Sequence, residues 1–127
     1  RSAGGGLEII DYKTGAAPTA RILRAGYAPQ LPLEAAIAAA GGFDNIPPSP
    51  VNGFSYWRLT GGDPAGEVKL YDGATAAELA AAAREGLQNL VVAFDRLETP
   101  YLSRPRPRPE FMGYGDYDHL ARVKEWS

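Results

Sequence analysis

The stretch LEIIDYKTG, residues 7–15, decides how this chain is read. It mixes apolar Leu7, Ile9 and Ile10 with charged Glu8, Asp11 and Lys13, and it stops at Thr14-Gly15, a turn signal. The pattern predicts a strand over Leu7–Lys13. Two consecutive branched residues, Ile9 and Ile10, suggest that it is buried on both faces. Side chains two apart on a strand leave the same face, about 6–7 Å from each other. Asp11 and Lys13 therefore point together and Tyr12 points away. A carboxylate beside an ammonium at the end of a core strand suits phosphodiester hydrolysis. The carboxylate can hold a hard divalent cation. Such a cation polarises a phosphate and eases loss of a proton from water, and the ammonium steadies that water and the charge that develops. The same short pattern also describes a surface ion pair, so its surroundings must decide.

Upstream, RSAGGG runs into the strand almost at once, which reads as the tip of a hairpin. The partner strand is expected before Arg1 and the chain is expected to be a fragment; if the missing strand leaves an open sheet edge, that edge is expected to pair with another copy. Downstream, a loop with Pro18 leads to Tyr27-Ala28-Pro29 and a helix from about Pro29 to Ala40, with Gln30 at its opening. Prolines 29 and 32 suit a first helical turn. Leu33, Ile37 and the alanines are expected to pack, and Gly41-Gly42 to stop the helix. Residues 44–52 read as a proline-rich loop. FSYWRLT, residues 54–60, is a strand with Phe54, Tyr56 and Arg58 on one face and Ser55, Trp57 and Leu59 on the other. Its aromatics Tyr56 and Trp57 are expected in the core. A turn at Gly61–Pro64 and a shorter strand over Glu67–Asp72 complete a hairpin.

Thr75 and Glu78 have capping-box spacing. They should open a helix whose stripe is Leu79, Ala83, Leu87, Leu90, Phe94 and Leu97, ended by Thr99-Pro100. SRPRPRP, residues 103–109, should be extended. Its Arg104, Arg106 and Arg108 read as a solvated connector rather than a DNA contact. Residues 117–126 should form a short final helix docked by its aromatics, with His119 in a surface or capping role. The order is strand, helix, strand, strand, helix, tail. That is an α/β (α+β) arrangement, a mixed sheet flanked by helices.

The chain has 127 residues, 22% charged and 45% hydrophobic, with a net charge of −2. One domain of this size buries about two thirds of its unfolded surface. The apolar content excludes a disordered tail. The absence of cysteine excludes a disulfide scaffold, a zinc ribbon, a cysteine-ligated iron–sulfur cluster and a catalytic thiol. A single histidine excludes a multi-histidine metal site. The charge gives no global basic field. No stretch resembles a membrane span or a signal peptide, so the expected compartment is cytoplasmic.

IIDYKTG followed by GYAPQLPLEA resembles the RecB-like branch of the PD-(D/E)XK nuclease superfamily. YWRLTGG, TPYLSRPRP and YDHLARVKEW are similar to the C-terminal nuclease domain of AddB subunits, which belong to the bacterial AddAB helicase–nuclease of double-strand-break repair. The resemblance implies a restriction-endonuclease-like fold lacking its first strand, spread over residues 1–127, with a core to residue 99 and a docking tail from residue 100. It implies Mg²⁺-dependent cleavage of single-stranded DNA emerging from a helicase, with an AddA-like helicase–nuclease as partner subunit. Asp11 would be the second acidic position of the motif and a metal ligand, and the Tyr12 carbonyl a further one. Lys13 would orient or activate the attacking water. Gln30 would be the glutamine of the helix motif, near the lysine and the DNA; an amide can donate to a phosphate while accepting from an ammonium.

Three departures follow. The family's earlier aspartate belongs to a preceding strand, and Glu8 faces away from Asp11, so the fragment is expected to hold metal weakly and to be inactive alone. Glu34 stands where the helix motif often carries tyrosine. Cysteines for the iron–sulfur cluster of many AddB proteins are lacking, and Phe111, Tyr114, Tyr117, Leu120, Val123 and Trp126 are expected to pack in its stead. Two rivals remain: a non-catalytic structural or DNA-guiding domain of the same complex, and an unrelated interaction domain whose Asp11–Lys13 pair is a surface salt bridge.

Overall fold

The computed structural model describes residues 5–101. Its elements are β1 (Leu7–Lys13), α1 (Ala20–Arg24), α2 (Gln30–Ala39), β2 (Val51–Leu59), β3 (Gly66–Asp72) and α3 (Gly73–Phe94). The chain divides into two compact units, residues 1–90 and 91–127. The sheet and its packed helices lie in the first. The expectations placed on residues 102–127 (the extended basic run, the final helix, the docking aromatics and His119) lie outside the described residues.

The sheet has the order β1-β2-β3. β1 pairs parallel with β2, and β2 pairs antiparallel with β3. The parallel pair requires a crossover, supplied by α1 and α2. The β2–β3 hairpin is the one read from the sequence, although β2 starts earlier, at Val51, inside the expected proline-rich loop. Gly53 explains how this extension pairs: a Cβ there would meet the Tyr71 carbonyl oxygen at 2.7 Å, so only glycine lets β3 lie this close.

Along β1, burial alternates, with Leu7, Ile9, Asp11 and Lys13 on the sheltered face. The expectation of burial on both faces is thus corrected. Ile10 is largely exposed, because among the described residues helices pack on one face of the sheet alone. Trp57 is corrected for the same reason: it lies on the open face, 37% exposed, while Tyr56 is in the core at 2%. The core brings Leu23 of α1, Leu31 and Ala35 of α2, and Ala76 and Leu79 of α3 onto Phe54, Tyr56 and Tyr71. Burying Phe54 alone stabilises the fold by roughly 1.5–3 kcal/mol. The Tyr71 hydroxyl donates to the Pro18 carbonyl at 2.9 Å, which ties β3 to the loop before α1.

The helices depart from the sequence reading in three ways. α1 was not anticipated. It is five residues long, and its cue is Thr19, whose hydroxyl accepts from the Ile22 N–H at 3.3 Å as an N-cap. α2 has nearly the expected bounds but buries Leu31, Pro32, Ala35 and Ala38 rather than Leu33 and Ile37. It stops as expected at Gly41, at φ 74°; the Gly42 N–H reaches the Ile37 carbonyl and the Gly41 N–H that of Ala38, a Schellman closure. α3 begins at Gly73, directly after β3, so Thr75 is already inside the helix and no capping box forms. Glu78 instead accepts from Arg24 Nε at 3.0 Å. Of the expected stripe, only Leu79 is fully buried; Leu87 and Leu90 are nearly half exposed, and Leu97 lies beyond the helix end at 99%.

Candidate active site at the carboxyl end of the parallel strands

The register of the three strands arranges the helix-covered face in rows. Ile9, Phe54 and Tyr71 form one row, Asp11, Tyr56 and Lys69 the next, and Lys13, Arg58 and Glu67 the third. The first row is apolar and lies among the core residues. Two residues further along each ladder the face turns charged. The change falls at the carboxyl ends of the two parallel strands, where open α/β sheets place their ligands.

Asp11 and Lys13 are brought together as strand parity requires: Nζ lies 2.7 Å from Oδ2, with 18% of the Asp11 side chain and 35% of Lys13 exposed. Oδ2 is shielded from solvent and makes no well-angled hydrogen bond, so the contact is one of charge. The same ammonium stands 6.0 Å above the centre of the Tyr56 ring, within reach of a cation–π attraction. Burial pushes the Tyr56 phenol well above the usual tyrosine range, and the negative charges of Asp11 and then of Tyr71 and Glu34 push it the same way. Tyr56 is therefore a neutral phenol wherever the chain is folded near neutral pH.

Gln30 opens α2 as expected, but its amide donates to Glu34 Oε1 at 3.2 Å, one helical turn on. It is exposed and is engaged with Glu34, not with the Asp11–Lys13 pair. Glu34 lines a groove with Leu7, Ile9, Ala38, Phe43 and Ile46. The Tyr12 side chain stands on the open face, edge-on to Trp57 with ring centres 6.0 Å apart; only its backbone is near the charged row. Sequence reasoning missed Tyr56 and Arg58 as neighbours of the pair. The period-two pattern of FSYWRL placed Tyr56 and Arg58 on one face, but pairing register, not pattern, sets them beside Asp11 and Lys13.

A divalent cation can be tested against these donors. Mg²⁺ typically takes one or two carboxylates and fills its remaining positions with water and substrate phosphate. Asp11 is a carboxylate of that kind, but its Oδ2 is shielded from solvent and already lies 2.7 Å from the Lys13 ammonium, so a cation must reach the other oxygen or displace that contact. Among the described residues no group of three or more His, Cys, Asp or Glu could hold a metal.

Residues 1–109 match the family model of the PD-(D/E)XK nuclease superfamily. The chain belongs to that superfamily. Its mixed three-stranded sheet with packed helices is an α+β arrangement consistent with the restriction-endonuclease-like fold. No curated protein and no solved structure matches significantly. Membership points to nuclease activity and to DNA as the class of substrate. No helix among the described residues is long and apolar enough to cross a membrane.

Proposed function

We propose that the intact domain is a Mg²⁺-dependent DNA nuclease of the AddB type, acting in the bacterial cytoplasm on single-stranded DNA delivered by an AddA-like helicase–nuclease subunit. The observation that carries this reading is the 2.7 Å Asp11–Lys13 pair, set at the carboxyl end of β1 within a chain of this superfamily. Asp11 and the Tyr12 carbonyl would be the chain's own ligands to the cation. When bound, the cation supplies charge that polarises the scissile phosphate and makes water easier to deprotonate.

The remaining steps belong to the protein. Lys13 carries three donors and no acceptor. Charge keeps the ammonium beside Asp11 while its donors hold the attacking water and face the charge that builds on phosphorus oxygens. Tyr56, kept neutral, lies beneath the ammonium and limits its sweep. Gln30 would join the site only on release from Glu34, which would free its amide for a phosphate oxygen or a water.

A second reading has its own support. Among the described residues no group of three or more His, Cys, Asp or Glu could hold a metal, as a DNA-guiding domain that retains the fold without the chemistry would show. The two separate on one experiment. In the full-length complex, with the partner's nuclease disabled, Lys13→Ala should abolish DNA degradation while leaving folding intact. Undiminished degradation by that variant refutes the nuclease assignment and leaves the guiding role. An aspartate on a strand preceding Arg1 in the full-length sequence would favour catalysis.

A further inference from the structure

Two cations on the charged rows are not used by the chemistry above. Arg58 is the register partner of Lys13 on β2, and Lys69 is that of Tyr56 on β3. Both strands present them on the face that carries Asp11. Neither has a good acidic partner. Arg58 Nη1 stands 3.8 Å from Glu67 Oε2, at the edge of ion-pair distance, and its Nε is buried without an acceptor. Lys69 has no ion pair among the described residues, and its ammonium lies 6.0 Å from the Tyr71 ring centre. Arg24 shows what a satisfied guanidinium looks like in this molecule: its Nε meets Glu78 at 3.0 Å and a second nitrogen approaches the other carboxylate oxygen at 3.5 Å.

We infer that Lys13, Arg58 and Lys69 form a phosphate track that leads a single DNA strand across the sheet, from the Asp11–Lys13 pair on β1 to the exposed hairpin edge on β3. The inference rests on the nuclease reading for the identity of the polymer. The physical argument is independent of it. The Arg58 side chain is 40% exposed and only loosely matched by Glu67, so an incoming anion can reach its outer nitrogens and make the charge-assisted hydrogen bonds that Glu67 does not. A guanidinium is the group best shaped to take a phosphate through two parallel donors. Neighbouring strands are about 4.8 Å apart, so the three cations step across roughly 10 Å of sheet. That is the scale of a polymer's repeat rather than of one isolated anion. Contacts of this kind position a chain without reading its bases, which suits a domain fed with DNA of any sequence.

The test is binding of a fluorescein-labelled oligothymidylate to the full-length protein in EDTA, followed by anisotropy over a salt series. Each released phosphate contact on a single strand contributes about 0.7 to the slope of log K against log salt concentration. Arg58→Gln and Lys69→Gln should each lower the slope by about 0.7 and together by about 1.4, with a several-fold loss of affinity at low salt. Arg58→Lys, which keeps the charge, should restore the slope but only part of the affinity. Arg84→Gln, which removes an exposed charge from α3, should change neither. An unchanged slope in either single variant overturns the track. So does an equal loss in Arg84→Gln, which would reduce the effect to overall charge, and so does wild-type protein that fails to bind. Because no cleavage is measured, the nuclease reading and the track can fail separately: the first on Lys13→Ala, the second on these slopes.

Discussion

On one face of one sheet, the row Ile9–Phe54–Tyr71 and the rows two and four residues further on behave as different materials. In the first, Phe54 and Tyr71 are sealed by Leu31, Ala35, Ala76 and Leu79, and Ile9 packs partly buried against them. The others hold two carboxylates and three cations that no helix closes over completely. The three strands are the same, and so is the face. What differs is how far the helices reach. A strand that runs two pleats past its helical cover turns from core into site, and the buried half then fixes the direction of every side chain in the open half. The site's rigidity is thus borrowed from aromatic packing one pleat away.

This contrast can be broken from either side. The largest effect belongs to the sealed row. Phe54→Ala should cost about 3–5 kcal/mol, read as a fall in the urea midpoint, and activity should be lost with the fold. A stable Phe54→Ala protein would mean that the aromatic row is not the anchor. Next comes the open row. Lys13→Ala should lower cleavage by about a hundredfold or more while the denaturation midpoint stays near that of the wild type. A large stability loss in this variant would erase the distinction between core and site.

A smaller effect sharpens the boundary residue. The Tyr56 phenol is raised by burial and by its acidic neighbours, so the folded chain holds this proton more tightly than the unfolded chain does. Stability from this group is therefore present below the ordinary tyrosine range, near pH 10, and declines as pH rises past it. Tyr56→Phe should flatten that alkaline decline, and ultraviolet titration should lose its late-ionising tyrosine. The smallest effect lies away from both rows. Arg24 holds the Glu78 carboxyl below its usual range, first through a hydrogen bond and then through charge. Its contribution is present above the ordinary carboxylate pKa and is lost as pH falls through the lowered value. Glu78→Gln should shift the melting temperature only slightly at neutral pH and not at all in strong acid, as expected for an exposed pair.

What could be read from the sequence follows the same line. β1, the hairpin and the facing of Asp11, Lys13, Phe54, Tyr56 and Arg58 were legible because alternation is a local property of a strand. α2 was legible in extent, since Pro29 and Gly41 mark its ends. Its buried face was not, because QLPLEAAIAA is apolar nearly all round and no periodicity selects Leu31 and Ala35 over Leu33 and Ile37. α1 is too short for any period to show. Thr75 and Glu78 have the spacing of a cap, but Arg24, 54 residues earlier in the chain, offers Glu78 a charged partner. Tyr56 and Arg58 became neighbours of the pair through register, which no single segment encodes. The open face that exposes Trp57 is likewise a property of what packs where.

Strict alternation along residues 7–13 also has a genetic reading. One inserted codon between Ile9 and Asp11 would rotate the carboxylate and the ammonium to the Tyr12 side and carry outward-facing neighbours into their place. Two inserted codons would return both groups to the correct side, displaced one pleat outward. Tolerance to insertions in this strand should accordingly alternate between odd and even lengths, a rhythm that a deep insertion library would record.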